Sequence, residues 1–326
     1  MKFVVFGELR RLGLLDGQRI LDLGMASSAY RAATGSPNPG DPAHVLSSLQ
    51  SLIDAGRWGL DVVQNVAEKV RGSDQPGLWS RASEVQIHAP WPGQRFVLAG
   101  SNNAHHLAAA FTNMGTPRTV AEARDLVRKG VPSGFWGMAR PVMGPEAKIK
   151  IPSRANGLFD YEAEPGVVLG KQGKDIKARD IAEYVWGVTL IIDWSIREEV
   201  WPPKPYPTLM PVKNFDFSKS IGPCIVVDEV DPHALHIETY VNGQRRQSFD
   251  TSEMIFSFGE VLEHFSRDFT YFPGDVIAGG TGVGTAIDQT VPRADGSWPR
   301  DLYLKPGDVV EVRSDSIGSM VNYIAA

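Results

Sequence analysis

The chain has 326 residues, 42% hydrophobic and 22% charged, a composition that fits a folded globular protein and excludes a fibrous or generally disordered one. Thirty-three basic side chains against 38 acidic ones leave a net charge of −5, and no window gathers enough Lys and Arg to neutralise a run of phosphates, so nucleic acid is not expected as a partner. The single cysteine, Cys224, excludes an intramolecular disulfide, a Cys-rich zinc site and an iron–sulfur cluster, and no stretch approaches the ~20 apolar residues of a membrane span.

The opening MKFVVFGELRRLG breaks its apolar stretch with Glu8, Arg10 and Arg11 before a leader-like core develops, and the expected compartment is the cytoplasm. The 33 glycines and 23 prolines imply many short elements joined by tight turns. In chain order, the first segment reads as a β-hairpin, Phe3 to Glu8 and Arg19 to Leu23, turning at Asp16-Gly17. A helix capped by Asp41 follows, with Val45, Leu46, Leu49, Leu52 and Ile53 at helical spacing up to Gly56, and then a second from about Leu60 to Val70. The polar stretch up to Gly93 reads as a linker with a short strand around Val85 to His88.

A strand over Phe96 to Ala99 then runs through Gly100-Ser101-Asn102-Asn103-Ala104-His105-His106 into a helix-prone run, Leu107 to Phe111. Another helix is expected from Val120 to Lys129 with Thr119 as its cap. From Lys148 to Ile324 the pattern is mostly strands, among them Tyr161 to Leu169, Val188 to Asp193, Cys224 to Val227, the pair Leu235 to Val241 and Gln244 to Phe249, Val276 to Ala278 and Val309 to Val312. Without regular alternation of strands and long helices, the pattern argues against a doubly wound sheet or a TIM barrel and for a β-rich α+β fold. The expected organisation is a small N-terminal α+β domain over residues 1–75, a linker over 76–93 and a larger domain over 94–326.

Three acids stand out. Glu162 and Glu164 lie two apart in an extended run, so a strand puts both carboxylates on one face, and the apolar Pro165 to Leu169 behind them suits a buried strand. Asp193 ends the apolar strand Val188 to Ile192. Three oxygen ligands from two strands suit a hard cation, Mg²⁺, Mn²⁺ or Ca²⁺; the alternative is that the glutamates form the polar face of an edge strand and Asp193 caps a turn. Gly279 to Gly284 lacks the spacing of a dinucleotide loop and has no Gly-Lys-Ser/Thr, and no clear helix follows it, so a cofactor-phosphate role is disfavoured. Adjacent His105 and His106 do not form a chelating pair on a helix. Phe135, Trp136 and Met138 suit either a pocket wall or plain packing.

Taken in order, Asp193-Trp194-Ser195-Ile196-Arg197-Glu198, Lys213-Asn214-Phe215-Asp216, Val241-Asn242-Gly243, Met254 to Ser257, Pro273-Gly274-Asp275-Val276-Ile277 and Gly280-Thr281 resemble the fumarylacetoacetate hydrolase family. The resemblance runs from about residue 94 to 324. It implies a mixed β-sheet roll in a catalytic domain, a homodimer, and Glu162, Glu164 and Asp193 as metal ligands. Gly100 to His106 resembles the family's G-x-N-Y-x-x-H element, which places a catalytic role on His106. Lys213 matches a family lysine near the metal, and Arg197 an arginine that either pairs with a substrate carboxylate or supports the site through a buried ion pair. Gly280 and Thr281 match a substrate-carboxylate loop, although Gly282 stands where the family commonly has proline. A glutamate frequent three residues after the histidine is Ala109 here, with Glu122 and Asp125 as weak replacements.

The implied activity is metal-dependent hydrolysis of a carbon–carbon bond in a 2,4-dioxo acid or acylpyruvate-like 1,3-dicarbonyl, through a metal-stabilised enolate. A keto-acid decarboxylase, an isomerase or a sugar-acid dehydratase on the same site stands close behind. A non-catalytic member that binds a metal and a keto acid is disfavoured because His106, Glu162, Glu164, Asp193, Lys213 and Thr281 are all present.

Overall fold

The computed structural model describes residues 1–34, 42–93, 95–113, 115–138, 140–197, 209–295 and 297–326. Asp41, expected to cap a helix, and Glu198 lie outside the described residues. No described helix is long and apolar enough to cross a membrane.

The N-terminal segment turns twice rather than once. Strands Lys2–Phe6, Arg11–Asp16 and Arg19–Asp22 form an antiparallel meander, and Asp16-Gly17 joins the second to the third. The first turn uses Gly7 and Arg10 at positive φ and leaves Leu9 81% exposed, so an apolar residue in the turn masked it in the sequence. The helix expected up to Gly56 is two short ones, Pro42–Val45 and Leu49–Asp54. Ser48 separates them: its hydroxyl accepts from Ser51 N–H at 3.1 Å and starts the second helix. The next helix, Gly56–Val70, begins earlier than its apolar stripe suggested.

Among the described residues the main sheet has eleven strands. From Trp79–Arg81 it passes through the N-terminal meander to Lys219–Val226, Val185–Asp193, Ala163–Leu169, Val276–Ala278, Phe96–Gly100 and Ser133–Gly137, with Ile87–His88 paired to Lys2–Phe6. The N-terminal strands thus continue the sheet that carries the carboxylates, through Lys2 opposite Val226. A second sheet of five strands runs from Gln244–Asp250 through His236–Val241, Val309–Ser314 and Gly318–Ala325 to Ala147–Lys150. The molecule is therefore α+β and strand-rich, as its sequence implied.

The centre of the main sheet is covered on both faces. Leu190 and Ile192 join the core shared with the five-stranded sheet, whereas Ile191 between them joins the core made with the N-terminal helices. A strand buried on both sides reads as a continuous apolar run rather than an alternating one, which is why Val185–Asp193 looks as it does. Cys224 is buried in this layer, and burial pushes its thiol up to about 12. The strand expected over Tyr161 to Leu169 starts only at Ala163 and pairs with Val185–Asp193, while Phe159–Asp160 before it pairs with Ser195–Ile196, so Glu162, expected in the strand beside Glu164, lies just ahead of it. The break at Tyr161 and Glu162 brings carboxylates from both pieces to one place.

Candidate metal centre and active site

Glu162, Glu164 and Asp193 come together by register. Asp193 N–H donates to the Glu162 carbonyl at 2.9 Å, and Glu164 sits opposite Ile191. One oxygen from each carboxylate lies within 4.8 Å of the others, and all three residues are buried. Such charges cannot be held out of water without compensation.

Lys213, on the short helix Leu209–Lys213, donates to Glu162, to Asp193 Oδ2 at 2.9 Å and to Ser195 Oγ at 2.6 Å. Arg197 donates through Nε to Asp160 Oδ2 at 2.9 Å and through Nη2 to Glu162 Oε1 at 2.6 Å. Lys219, on the neighbouring strand, lies 2.7 Å from Asp193 Oδ1 and is fully buried. Burial opposes the charge of Glu162, but Lys213 and Arg197 outweigh it and hold this carboxyl well below the usual range. Glu164 differs. Its Oε2 accepts from Gly280 N–H at 3.0 Å, and among the described residues no ammonium or guanidinium forms an ion pair with it. Burial, Asp193 and Glu162 therefore push its carboxyl well above the usual range.

A divalent cation fits this arrangement. The donors are all oxygens, the preference of Mg²⁺, Mn²⁺ and Ca²⁺, and the one carboxylate without a counter-charge would gain one.

Beside the triad is a cavity of about 270 Å³, lined by Glu162, Glu164, Arg197, Lys213, Gly280 and Thr281 and by His106 with the apolar Leu107, Ala110, Phe135 and Ile287. His106 is placed by its helix start. Asn103 precedes the helix Ala104–Asn113, and its Oδ1 accepts from the N–H groups of His105 at 3.0 Å and His106 at 3.1 Å. His105 is exposed, and His106 turns into the cavity. Neither Glu122 nor Asp125 supports His106: Glu122 is spent on the cap with Thr119, and Asp125 is exposed.

The partner is Asp288, with Oδ2 2.9 Å and Oδ1 2.8 Å from His106 Nδ1. Burial pulls the imidazole pKa down, but Asp288 outweighs it and the net shift is upward. Asp288 also accepts from Gly284 N–H at 2.9 Å and Thr285 N–H at 3.1 Å, and it lies on a short helix, Ala286–Gln289, in a stretch read from sequence as having none. The spacing Thr285-x-x-Asp288 is a capping-box signal and was available in the sequence. Asp160 anchors the same helix by accepting from Ala286 N–H at 2.8 Å and Ile287 N–H at 3.1 Å.

The loop after Val276–Ala278 is held from below. Asn102 donates to the carbonyls of Phe256 at 3.0 Å and Gly279 at 2.9 Å. Gly280 has φ +88°, and a Cβ there would meet the Ala99 carbonyl at 3.0 Å, so glycine is required. Thr281 Oγ1 accepts from Gln247 Nε2 at 2.9 Å. At Gly282 a Cβ would meet the Phe249 ring at 2.1 Å, so that ring fills the space a proline would need. Trp136 stacks near Phe269 and Tyr271, outside the cavity lining, and Met138 is exposed. Lys219, Asp288, Asp160 and Gln247 were not singled out from sequence as site residues.

The family model described as fumarylacetoacetate (FAA) hydrolase C-terminal matches residues 95–325. The chain belongs to the fumarylacetoacetate hydrolase family. Among relatives, it is 31% identical over 333 residues to the oxaloacetate tautomerase YisK of Bacillus subtilis (strain 168), covering 99% of this chain and 100% of that one. It is 34% identical over 317 residues to the mitochondrial oxaloacetate tautomerase fahd2 of Xenopus laevis, covering 95% and 84%. The solved fumarylacetoacetate hydrolase of the psychrophilic Exiguobacterium antarcticum superposes with a TM-score of 0.69 at 25% identity, covering 100% of this chain and 99% of that one. Relatives within the family thus carry both tautomerase and hydrolase names.

Proposed function

We propose that this protein is a divalent-cation-dependent enzyme that moves a proton at the carbon beside the keto group of a small 2-oxo dicarboxylic acid, a keto–enol tautomerase acting on oxaloacetate or a close analogue. The observation that carries this reading is a buried carboxylate triad, two of whose members line a cavity shared with a histidine backed by an aspartate. The names of the relatives matched over nearly the whole chain point the same way.

Glu162, Glu164 and Asp193 would hold the cation. When bound, it supplies Lewis acidity toward the keto oxygen and so lowers the energy of the enolate. With Nδ1 engaged by Asp288, His106 has Nε2 left to take and return the proton at the adjacent carbon. Lys213 adds positive charge beside the developing enolate oxygen, and the Gly280-Thr281 loop receives a substrate carboxylate. Arg197 is committed to Asp160 and Glu162, which favours a supporting role over a direct one.

A second reading is hydrolysis of a carbon–carbon bond in a 2,4-dioxo acid. It is favoured by the apolar side of the cavity, Leu107, Ala110 and Ile287, which suits an acyl tail, and by the same His106–Asp288 pair acting on water. Both readings require metal-stripped protein to regain activity with Mg²⁺ or Mn²⁺. Decay of the oxaloacetate enol absorbance accelerated by the reloaded protein, with no new carboxylic acid by mass, supports tautomerisation. Cleavage of acylpyruvates with ¹⁸O from water in the acid product would replace it by hydrolysis, and activity of Glu164→Ala equal to wild type would remove the metal centre from either scheme.

A further inference from the structure

Lys219 is a fully buried lysine with no part in the chemistry above. Its Nζ is surrounded by acceptors: the Lys213 carbonyl, the Ser218 carbonyl at 3.2 Å, Ser218 Oγ at 3.4 Å and Asp193 Oδ1 at 2.7 Å. The two carbonyls and the carboxylate oxygen have no proton to give. A neutral amine would leave a lone pair facing oxygens, whereas an ammonium has three donors to give. Burial pulls the lysine's pKa down and Asp193 opposes it, but the ring of acceptors at Nζ fits the ammonium. Gly137 lies beside the side chain: a Cβ there would meet Leu98 Cδ1 at 2.6 Å and Phe96 Cβ at 3.0 Å first, and Lys219 Cε at 3.3 Å.

This third cation changes the charge of the centre. Arg197, Lys213 and Lys219 balance Asp160, Glu162 and Asp193 through the ion pairs described, and Glu164 is the one carboxylate of the group left over. His106 and Asp288 pair separately. A divalent cation entering such a cluster leaves it with one positive charge. Without Lys219 the same centre would be neutral.

We infer that Lys219 sets the charge of the loaded centre: its buried ammonium weakens the hold of the carboxylates on a divalent cation and leaves a net positive charge that selects a dianionic 2-oxo acid. This rests on the metal-dependent reading above. Lys219 is a positioning and charge-setting residue, since among the described residues its ion pair is with Asp193, one of the carboxylates that would hold the cation. Other buried lysines in such a position would only cement a carboxylate, and that role predicts a loss of metal affinity on removal. Charge-setting predicts a gain.

The test is calorimetric titration of EDTA-stripped, full-length protein with MnCl₂, followed by titration of the Mn²⁺-saturated protein with oxalate, a non-reacting dianion. Lys219→Met is expected to bind Mn²⁺ about tenfold or more tightly than wild type and, once loaded, to bind oxalate about tenfold or more weakly. Oxamate, the monoanion of nearly the same shape, is expected to lose much less. If Lys219→Met does not give folded protein by circular dichroism, Lys219→Gln, which keeps a donor for the Lys213 carbonyl without the charge, is titrated in its place with the same expectation. Both affinities falling together, or neither moving, would overturn the inference while leaving the metal centre standing. Absence of Mn²⁺ binding by the wild type would overturn the metal-centre reading itself and this inference with it.

Discussion

His106 and Asp288 stand 182 residues apart in the chain and meet with Nδ1 2.8 Å and 2.9 Å from the two carboxylate oxygens. The contact holds the imidazole pKa above its ordinary value although burial pulls the other way. A raised folded-state pKa contributes stability that is fully present below the unfolded value, about 6.5, and is lost as pH rises through the folded value. Replacing Asp288 by Asn removes the largest upward contributions and leaves Glu162 alone against burial and Arg197, so the shift should reverse sign. NMR titration of the metal-free protein is expected to place His106 above about 6.5 in the wild type and below it in Asp288→Asn. Loss of the orienting carboxylate should lower kcat by roughly 10²-fold with little change in KM. An unshifted His106 titration in the variant would separate the two residues functionally.

Local pattern drew attention to Glu162, Glu164 and Asp193 as acids beside apolar strands but left an edge-strand reading open, and it did not show their setting. The roles expected of these three and of His106 came from the family resemblance rather than from periodicity. Asp288 was hidden in a Pro- and Gly-rich stretch, where one turn of helix leaves no periodicity to detect; only the Thr285-x-x-Asp288 spacing marked it. Lys219 sits in a strand of the sheet interior, a place where sequence pattern expects no charge, and its partner is in another strand. The extra turn at Gly7 to Arg10 was missed because its exposed Leu9 looks like strand. For Asp288 and Lys219, what the sequence lacked was information carried by pairing between distant segments.

Glu164 should make the metal-free protein pH-sensitive. Its folded pKa lies well above the unfolded value of about 4.3, so the stability it contributes is present below that value and disappears as pH rises toward the folded one. Glu164→Gln removes the buried charge. In EDTA the variant is expected to melt at or above the wild-type temperature near neutral pH. On adding Mg²⁺ or Mn²⁺ at about 100 times its dissociation constant, the wild type should gain about 2.7 kcal/mol and the variant far less. Thermal melts with and without cation measure both; an equal metal-induced rise in the two proteins would exclude Glu164 as a ligand.

Phe249 and Gly282 form a size-complementary pair. A Cβ at 282 would lie 2.1 Å from the ring, so Gly282→Ala should cost about 1–3 kcal/mol in denaturant unfolding and disturb the adjacent Thr281. Gly282→Pro, which restores the residue more usual in the family, should be worse alone than in company with Phe249→Ala. The double-mutant cycle is expected to show a favourable coupling of at least about 0.5 kcal/mol. Additive effects would mean that the ring relaxes away and that loop shape is set elsewhere.

Arg197 supports the site from two sides. It spans Asp160 and Glu162 by separate nitrogens, and Asp160 in turn accepts from the first turn of the helix that carries Asp288. Arg197→Met leaves both carboxylates buried without that cation and should cost about 3–5 kcal/mol in unfolding free energy. Arg197→Lys recovers only part of this, because one ammonium does not reproduce the forked geometry. The loosened helix should also carry Asp288 away from His106, so the imidazole pKa measured by NMR is expected to fall in Arg197→Met even though removal of a nearby positive charge by itself would raise it. A rise instead would show that Asp288 keeps its place without Arg197.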